Sequence, residues 1–120
     1  MASHKLWVDK EKIINIQLIG SHDKENAESI IEEINELISK NPNCLILIDM
    51  DKIVRPTSQA RKLHAQNMRL QANYFKKTAI YGGNTLNRVI ANFIIKASGR
   101  GDKVKYFRTR ENAIEWLKEK

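Results

Sequence analysis

The sequence predicts an α/β fold: a mixed, mostly parallel sheet entered through an N-terminal antiparallel hairpin, in the order β-β-α-β-α-β-α-β-α. Three observations carry this. Short β-type runs alternate with helical patterns along the chain. The run Cys44–Ile48, CLILI, has no polar face, as a strand covered on both sides requires. Strands separated by helices pair in parallel through right-handed crossovers. With 120 residues, 42% of them apolar, the chain can bury a core as a single domain, 1–120.

The elements follow in order. Residues 5–9, KLWVD, and 13–19, IINIQLI, are two β-type runs across a polar break and read as a hairpin. In the second run Ile14, Ile16 and Leu18 share one face, with Asn15 and Gln17 on the other. Ser21 or Asp23 caps the next helix. Its apolar stripe is Ala27, Ile30, Ile31, Ile34, Leu37 and Ile38, and Glu25, Glu28, Glu32, Glu33 and Glu36 fill the face toward water. Asn41-Pro42-Asn43 ends it. The CLILI strand ends at Asp49, and 50–56 read as the following loop. Pro56-Thr57-Ser58 opens a basic helix to about Ala72, with a weak stripe of Ala60, Leu63, His64, Asn67 and Leu70.

Thr78–Tyr81 reads as a strand ending in Gly82-Gly83, and Asn84 or Thr85 caps a third helix. Leu86, Val89, Ile90, Phe93, Ile94 and Ala97 are its expected core stripe, with Ala91 and Ile95 off it. Residues 103–107 alternate as a last strand. Thr109 caps a final helix that buries Ala113, Ile114 and Leu117, with Trp116 alongside.

Composition narrows the function classes. No apolar run reaches the ~18 residues of a membrane span. The opening MASHKLWVDK has no apolar signal core, and the lone Cys44 rules out an internal disulfide; both point to the cytoplasm. The net charge of +7 is uneven: residues 1–54 carry −4 and residues 55–120 carry +11, with every Arg in the latter. Such a half either solvates exposed helix faces or meets an anionic partner. Nucleic acid is a poor fit, because aromatics are 7% and no recognition motif occurs. His4, His22 and His64 share no metal-ligand spacing, so no metal or cofactor is expected. Asp49 and Asp51 read either as a carboxylate pair for acid–base work or, the preferred reading, as residues that cap and solubilise a loop.

Three stretches add a resemblance: LILIDM at 45–50, KTAIYGGNT at 77–85 and KVKYFRTRENAIEWL at 103–117. With the element order, they resemble the STAS superfamily, in particular its SpoIIAA-like branch of small stand-alone proteins. The resemblance implies helices mainly on one side of the sheet and a role that is not enzymatic. Its best-known members are anti-anti-sigma factors, switched by phosphorylation at the start of the helix after the central strand. That position falls on Thr57 and Ser58 here. The usual Asp-Ser-Ser-Gly-like motif is replaced by Pro56-Thr57-Ser58-Gln59. The branch is also compared with lipid-binding Sec14-type domains, which implies an apolar pocket.

Each candidate residue has two readings. Thr57 and Ser58 either cap a helix or present a phosphate to its free N–H groups, with Arg55 and Arg61 to pair with it. Gly82, Gly83, Asn84 and Thr85 form either a plain turn and cap or an anion seat, with Arg88 one helical turn in. The leading expectation is a regulatory domain that binds an acidic protein partner through 51–57, the helix start, the 82–85 turn, and Arg55, Arg61, Arg69 and Arg88. The alternative is a binder of a small apolar ligand such as a lipid. Oligomeric state is left open.

Overall fold

The computed structural model describes residues 4–119. Nine elements follow one another: β1 (Lys5–Val8), β2 (Ile13–Ser21), α1 (Lys24–Lys40), β3 (Cys44–Val54), α2 (Ser58–Gln71), β4 (Phe75–Tyr81), α3 (Thr85–Ser98), β5 (Val104–Phe107) and α4 (Arg110–Lys118). This is the order the sequence predicts. The five strands lie side by side in chain order; β1 runs antiparallel to β2, and all other pairs are parallel. Steps to the next strand with right-handed crossovers put every connecting helix on the same face. Accordingly α1, α2 and α3 share one face, and α4, which leaves the last strand, packs on the other.

Two cores result. Ile14, Ile16, Leu18, Ile46, Ile48, Met50 and Ile80 project toward the three helices. Ile13, Leu47, Ala79 and Tyr81 project the other way and meet Ala113 and Leu117 of α4. β3 is therefore covered on both sides, as its unbroken apolar run requires. On the opposite face of β2, Asn15 is buried and its amide donates to Asp9 Oδ2 at 2.9 Å, while Gln17 and Ile19 are half-buried. Asp9 builds the hairpin turn, its Oδ1 accepting from the N–H groups of Glu11 and Ile13. Lys12 takes a left-handed φ of 64° to close that turn.

Caps set the helix starts. Asp23 closes a reciprocal capping box with Asn26 on α1, and Asn84 and Thr109 cap α3 and α4. Lys77 donates to the carbonyls of Trp116 and Glu119, fixing the end of α4 where the helix dipole favours a cation. Between α1 and α2, the amides of Asn35 and Asn67 exchange two hydrogen bonds of 3.0 and 3.1 Å.

Three expectations are corrected. First, β3 does not stop at Asp49: after a register shift between Gln17 and Ile19 of β2, Lys52, Ile53 and Val54 pair with Ile19, Gly20 and Ser21. The stretch expected as loop is strand up to Val54; its charges obscure the pattern because β4 ends opposite Asp49. Second, β4 begins at Phe75 rather than Thr78; Lys76 is exposed, and the half-buried Lys77 reaches along the sheet to the end of α4. Third, α3 is rotated from its expected face. Asn87, Ile90, Ala91, Ile94, Ile95 and Ser98 are buried, while Leu86, Val89 and Phe93 stand 43%, 56% and 59% exposed. Apolar residues cover more than half of this helix's circumference, so the pattern alone does not choose the arc. The neighbours choose it: Ala91 and Ile95 meet the sheet, and Ile90 and Ile94 meet Ala65 and Met68 of α2.

The rotation is measurable. Ile95→Ala should destabilise the domain by about 2–4 kcal/mol, whereas Phe93→Ala should stay within about 0.5 kcal/mol of the parent. Urea unfolding of the two variants checks this; the reverse ranking would restore the expected stripe.

Candidate functional site

Parallel strands send their C-terminal ends, and the loops after them, to one edge of the sheet, where ligand and partner sites of α/β folds gather. The segments after β3 and β4 both open there, and most of the sequence-predicted residues lie on them.

Thr57 is the N-cap of α2: its Oγ1 accepts from the N–H of Ala60 at 3.1 Å. Its own N–H donates to the carbonyl of His22 at 3.0 Å, tying the helix start to the β2–α1 junction. Ser58 is the first residue of the helix and is exposed. Arg55 is exposed just before it. Arg61, at i+3 from Ser58, is half-buried, and its Nε is buried without a hydrogen-bond partner among the described residues. No acidic residue occurs on α2.

The turn after β4 is built by two left-handed glycines, Gly82 at φ 90° and Gly83 at φ 84°. The Gly83 N–H donates to Asp51 Oδ1 at 2.7 Å, and the Tyr106 hydroxyl donates to the Gly82 carbonyl at 2.8 Å. A Cβ on Gly82 would sit 2.5 Å from that Asp51 oxygen. The amide expected to greet an outside anion is thus engaged from within by Asp51. Asp51 does cap, but across the sheet rather than inside its own loop. The side chain of Asn84 likewise takes the N–H of Asn87. What remains open is a pocket of about 250 Å³ lined by Gly83, Asn84, Thr85, Arg88, Tyr106 and Arg108.

The structure therefore joins Asp51 with the 82–85 turn and groups Arg55 and Arg61 around Thr57 and Ser58. Arg69 is not part of either group: it lies in the last turn of α2, about 16 Å along the helix from Ser58. Tyr106 and Arg108 were not singled out by the sequence, which carries no signal that β5 ends beside this turn.

The sequence also gave no hint of a chain of three histidines. His22 is buried; its Nδ1 lies 3.3 Å from His4 Nε2, and its Nε2 lies 2.6 Å from His64 Nε2. His22 uses different nitrogens toward its two neighbours, so the three rings relay hydrogen bonds instead of converging on one point. No cluster of metal-ligating side chains is found among the described residues. Burial, then the neighbouring His4, pushes the His22 pKa down to about 4; burial, then His22 and His4, pushes His64 down to about 3. Both rings are therefore neutral at pH 7. His22 and His64 also line an apolar cavity with Ile16, Ile48, Pro56 and Met68. That cavity, and a second beside it, each measure about 30 Å³, room for a water or two and not for an acyl chain.

A family model described as a domain of unknown function (DUF7793) matches residues 6–120. No curated protein matches the sequence. Solved structures that share the fold include these three. One is an uncharacterized protein of the DUF3478 family with a SpoIIAA-like fold from Shewanella loihica (TM-score 0.70, 17% identity, 97% of this chain and 93% of that one). Another is an anti-sigma factor antagonist from Mycobacterium paratuberculosis (0.70, 14%, 99% and 96%). The third is the Bacillus cell fate determinant SpoIIAA in its phosphorylated form (0.66, 20%, 97% and 100%). At these identities the likeness is one of fold: the chain has the SpoIIAA-like architecture that its sequence resembles.

Two outcomes test this geometry. Because His22 and His64 have folded-state pKa values below the ordinary 6.5, the unfolded chain binds more protons in acid. Their contribution to stability is whole above pH 6.5 and is lost as pH falls through about 4 and 3. Urea midpoints should therefore drop from pH 7 to pH 4, and His64→Phe should flatten that slope; an unchanged slope would contradict the relay. Gly82→Ala should destabilise by more than about 1 kcal/mol, from positive φ and the displaced carboxylate together, as thermal unfolding would read.

Proposed function

The chain belongs to the DUF7793 family, and we propose that it works as a non-enzymatic regulatory domain of STAS type that binds a protein partner and is switched by phosphorylation, as an anti-anti-sigma factor is. The observation that carries this reading is the start of α2. An exposed Ser58 sits at the positive end of a helix without acidic residues, with Arg55 before it and the unpaired Nε of Arg61 one turn on. A phosphoryl group on Ser58 gains the free N–H groups of the first turn and the guanidinium of Arg61, which is the arrangement that stabilises a phosphate. Thr57 has its oxygen already engaged as cap, so phosphorylation there would first break a native hydrogen bond. Ser58 is accordingly the preferred of the two.

Support also comes from the fold shared with SpoIIAA, solved in a phosphorylated form, and with an anti-sigma factor antagonist. The partner would meet Arg55, Arg61 and the 82–85 turn with Arg88, in the cytoplasm. Asp51 couples the two halves of that surface, since it lies on the strand that leads to Arg55 and holds the turn of the other half. The lipid-binding alternative gains nothing from the small cavities between sheet and helices.

Native mass spectrometry of the protein from its own cells is the test. A phosphate adduct mapping to Ser58, or a co-purifying partner lost in the Arg55→Glu/Arg61→Glu variant, is expected. Ser58→Ala should leave stability within about 0.5 kcal/mol, while Thr57→Ala should cost about 1 kcal/mol as a lost cap. A chain that carries neither phosphate nor partner, or a partner indifferent to both Arg substitutions, would overturn the reading.

A further inference from the structure

The rotation of α3 leaves three large apolar side chains in water: Leu86, Val89 and Phe93. Their spacing of three and four residues places them within about 60° of helical arc, a narrow seam about 10 Å long. Ala97, also exposed, extends the seam toward the helix end. On its α2 side the seam adjoins Ile90, which packs against Ala65 and Met68.

The charges around the seam have one sign. α2 and α3 contain no Asp or Glu. They carry Arg61, Lys62, Arg69, Arg88 and Lys96, and all of these but Arg61 are exposed. Ion pairs among the described residues are Lys40–Glu36, Arg100–Asp102 and Lys118–Glu11, so none neutralises this face. Desolvating an apolar seam between unpaired cations selects a partner with apolar residues in its middle and carboxylates at its edges.

We propose that α3, with the adjoining face of α2, docks an acidic amphipathic helix of a partner protein. The inference rests on the reading of the chain as a partner-binding domain and names the chemistry of that partner. The seam has the 3-4 spacing of a helix-on-helix contact. It is narrower than the apolar face that a helix lying in a membrane interface inserts. A second copy of this chain fits poorly. Its acidic surface is α1, whose outer face offers glutamates but only the half-buried Ile31 and Leu37 as apolar matter. Leu86 stands one residue from the turn tied to Asp51, so a helix on the seam also reaches the segment that leads to Ser58.

The test uses the full chain and a stapled synthetic helix with leucines at 3-4 spacing flanked by glutamates, a second version with lysines for glutamates, and phosphatidylserine vesicles. Chemical-shift changes should map to Leu86, Val89, Phe93, Lys62 and Arg69. The Glu peptide should bind at least tenfold more tightly than the Lys peptide. Phe93→Asp, at an exposed position, should weaken binding at least tenfold with unchanged unfolding. Equal affinity for the two peptides, shifts on another face, preference for the vesicles, or a concentration-dependent dimer that shields Phe93 would each overturn the proposal. A natural partner lost in Arg55→Glu/Arg61→Glu but kept by Phe93→Asp would overturn the seam alone. A partner indifferent to both variants would remove the wider reading.

Discussion

Everything in this molecule is arranged around a strand that must be dry on both faces. β3 carries Ile46, Ile48 and Met50 to one side and Leu47 to the other. Each side therefore needs its own cover. Chain-order strands with right-handed crossovers supply three helices to one side only. The second side is covered by the one helix left over after the last crossover, and α4 is held there by Lys77 as well as by its apolar stripe. The same rule brings the segments after β3 and β4 to a common edge. The candidate site is thus a by-product of how the sheet is covered, and its parts come from residues some thirty positions apart in sequence, as Asp51 and Gly83 do.

What the sequence made legible was whatever depends on local pattern. The element order, the double-sided strand, the helix caps at Asn84 and Thr109 and the buried face of α4 all follow from spacing within a few residues. The legible part of the site was likewise local: a Thr-Ser at a helix start with arginines around it. What stayed hidden depends on partners far along the chain. The extension of β3 through Val54 is decided by β2 shifting its register, not by the charged sequence Asp51-Lys52. The arc that α3 buries is decided by α2 and the sheet. The histidine chain joins positions separated by 18 and 42 residues, and no spacing rule for metal or catalysis would collect them.

The distribution of charge follows the layers. The acidic residues of α1 and the cations of α2 and α3 lie on helices that share one side of the sheet, so that side is divided into an acidic and a basic half. The Asn35–Asn67 pair sits at the seam between the halves, where two neutral amides satisfy each other and neither half's charge has to be desolvated. An apolar seam on the basic half is then the natural place for an outside helix.

The contact between Asp51 and the glycine turn has an evolutionary corollary. A methyl group at position 82 would overlap the carboxylate at 51 where it now lies, so a change at 82 bears on 51. A side chain at 82 would make the carboxylate at 51 swing aside, or favour its loss, and the Gly83 amide would then be without its acceptor. The two positions, one on β3 and the other in the turn after β4, lie 31 residues apart and are coupled through this contact. In an alignment of relatives, a side chain at 82 should come with a change at 51.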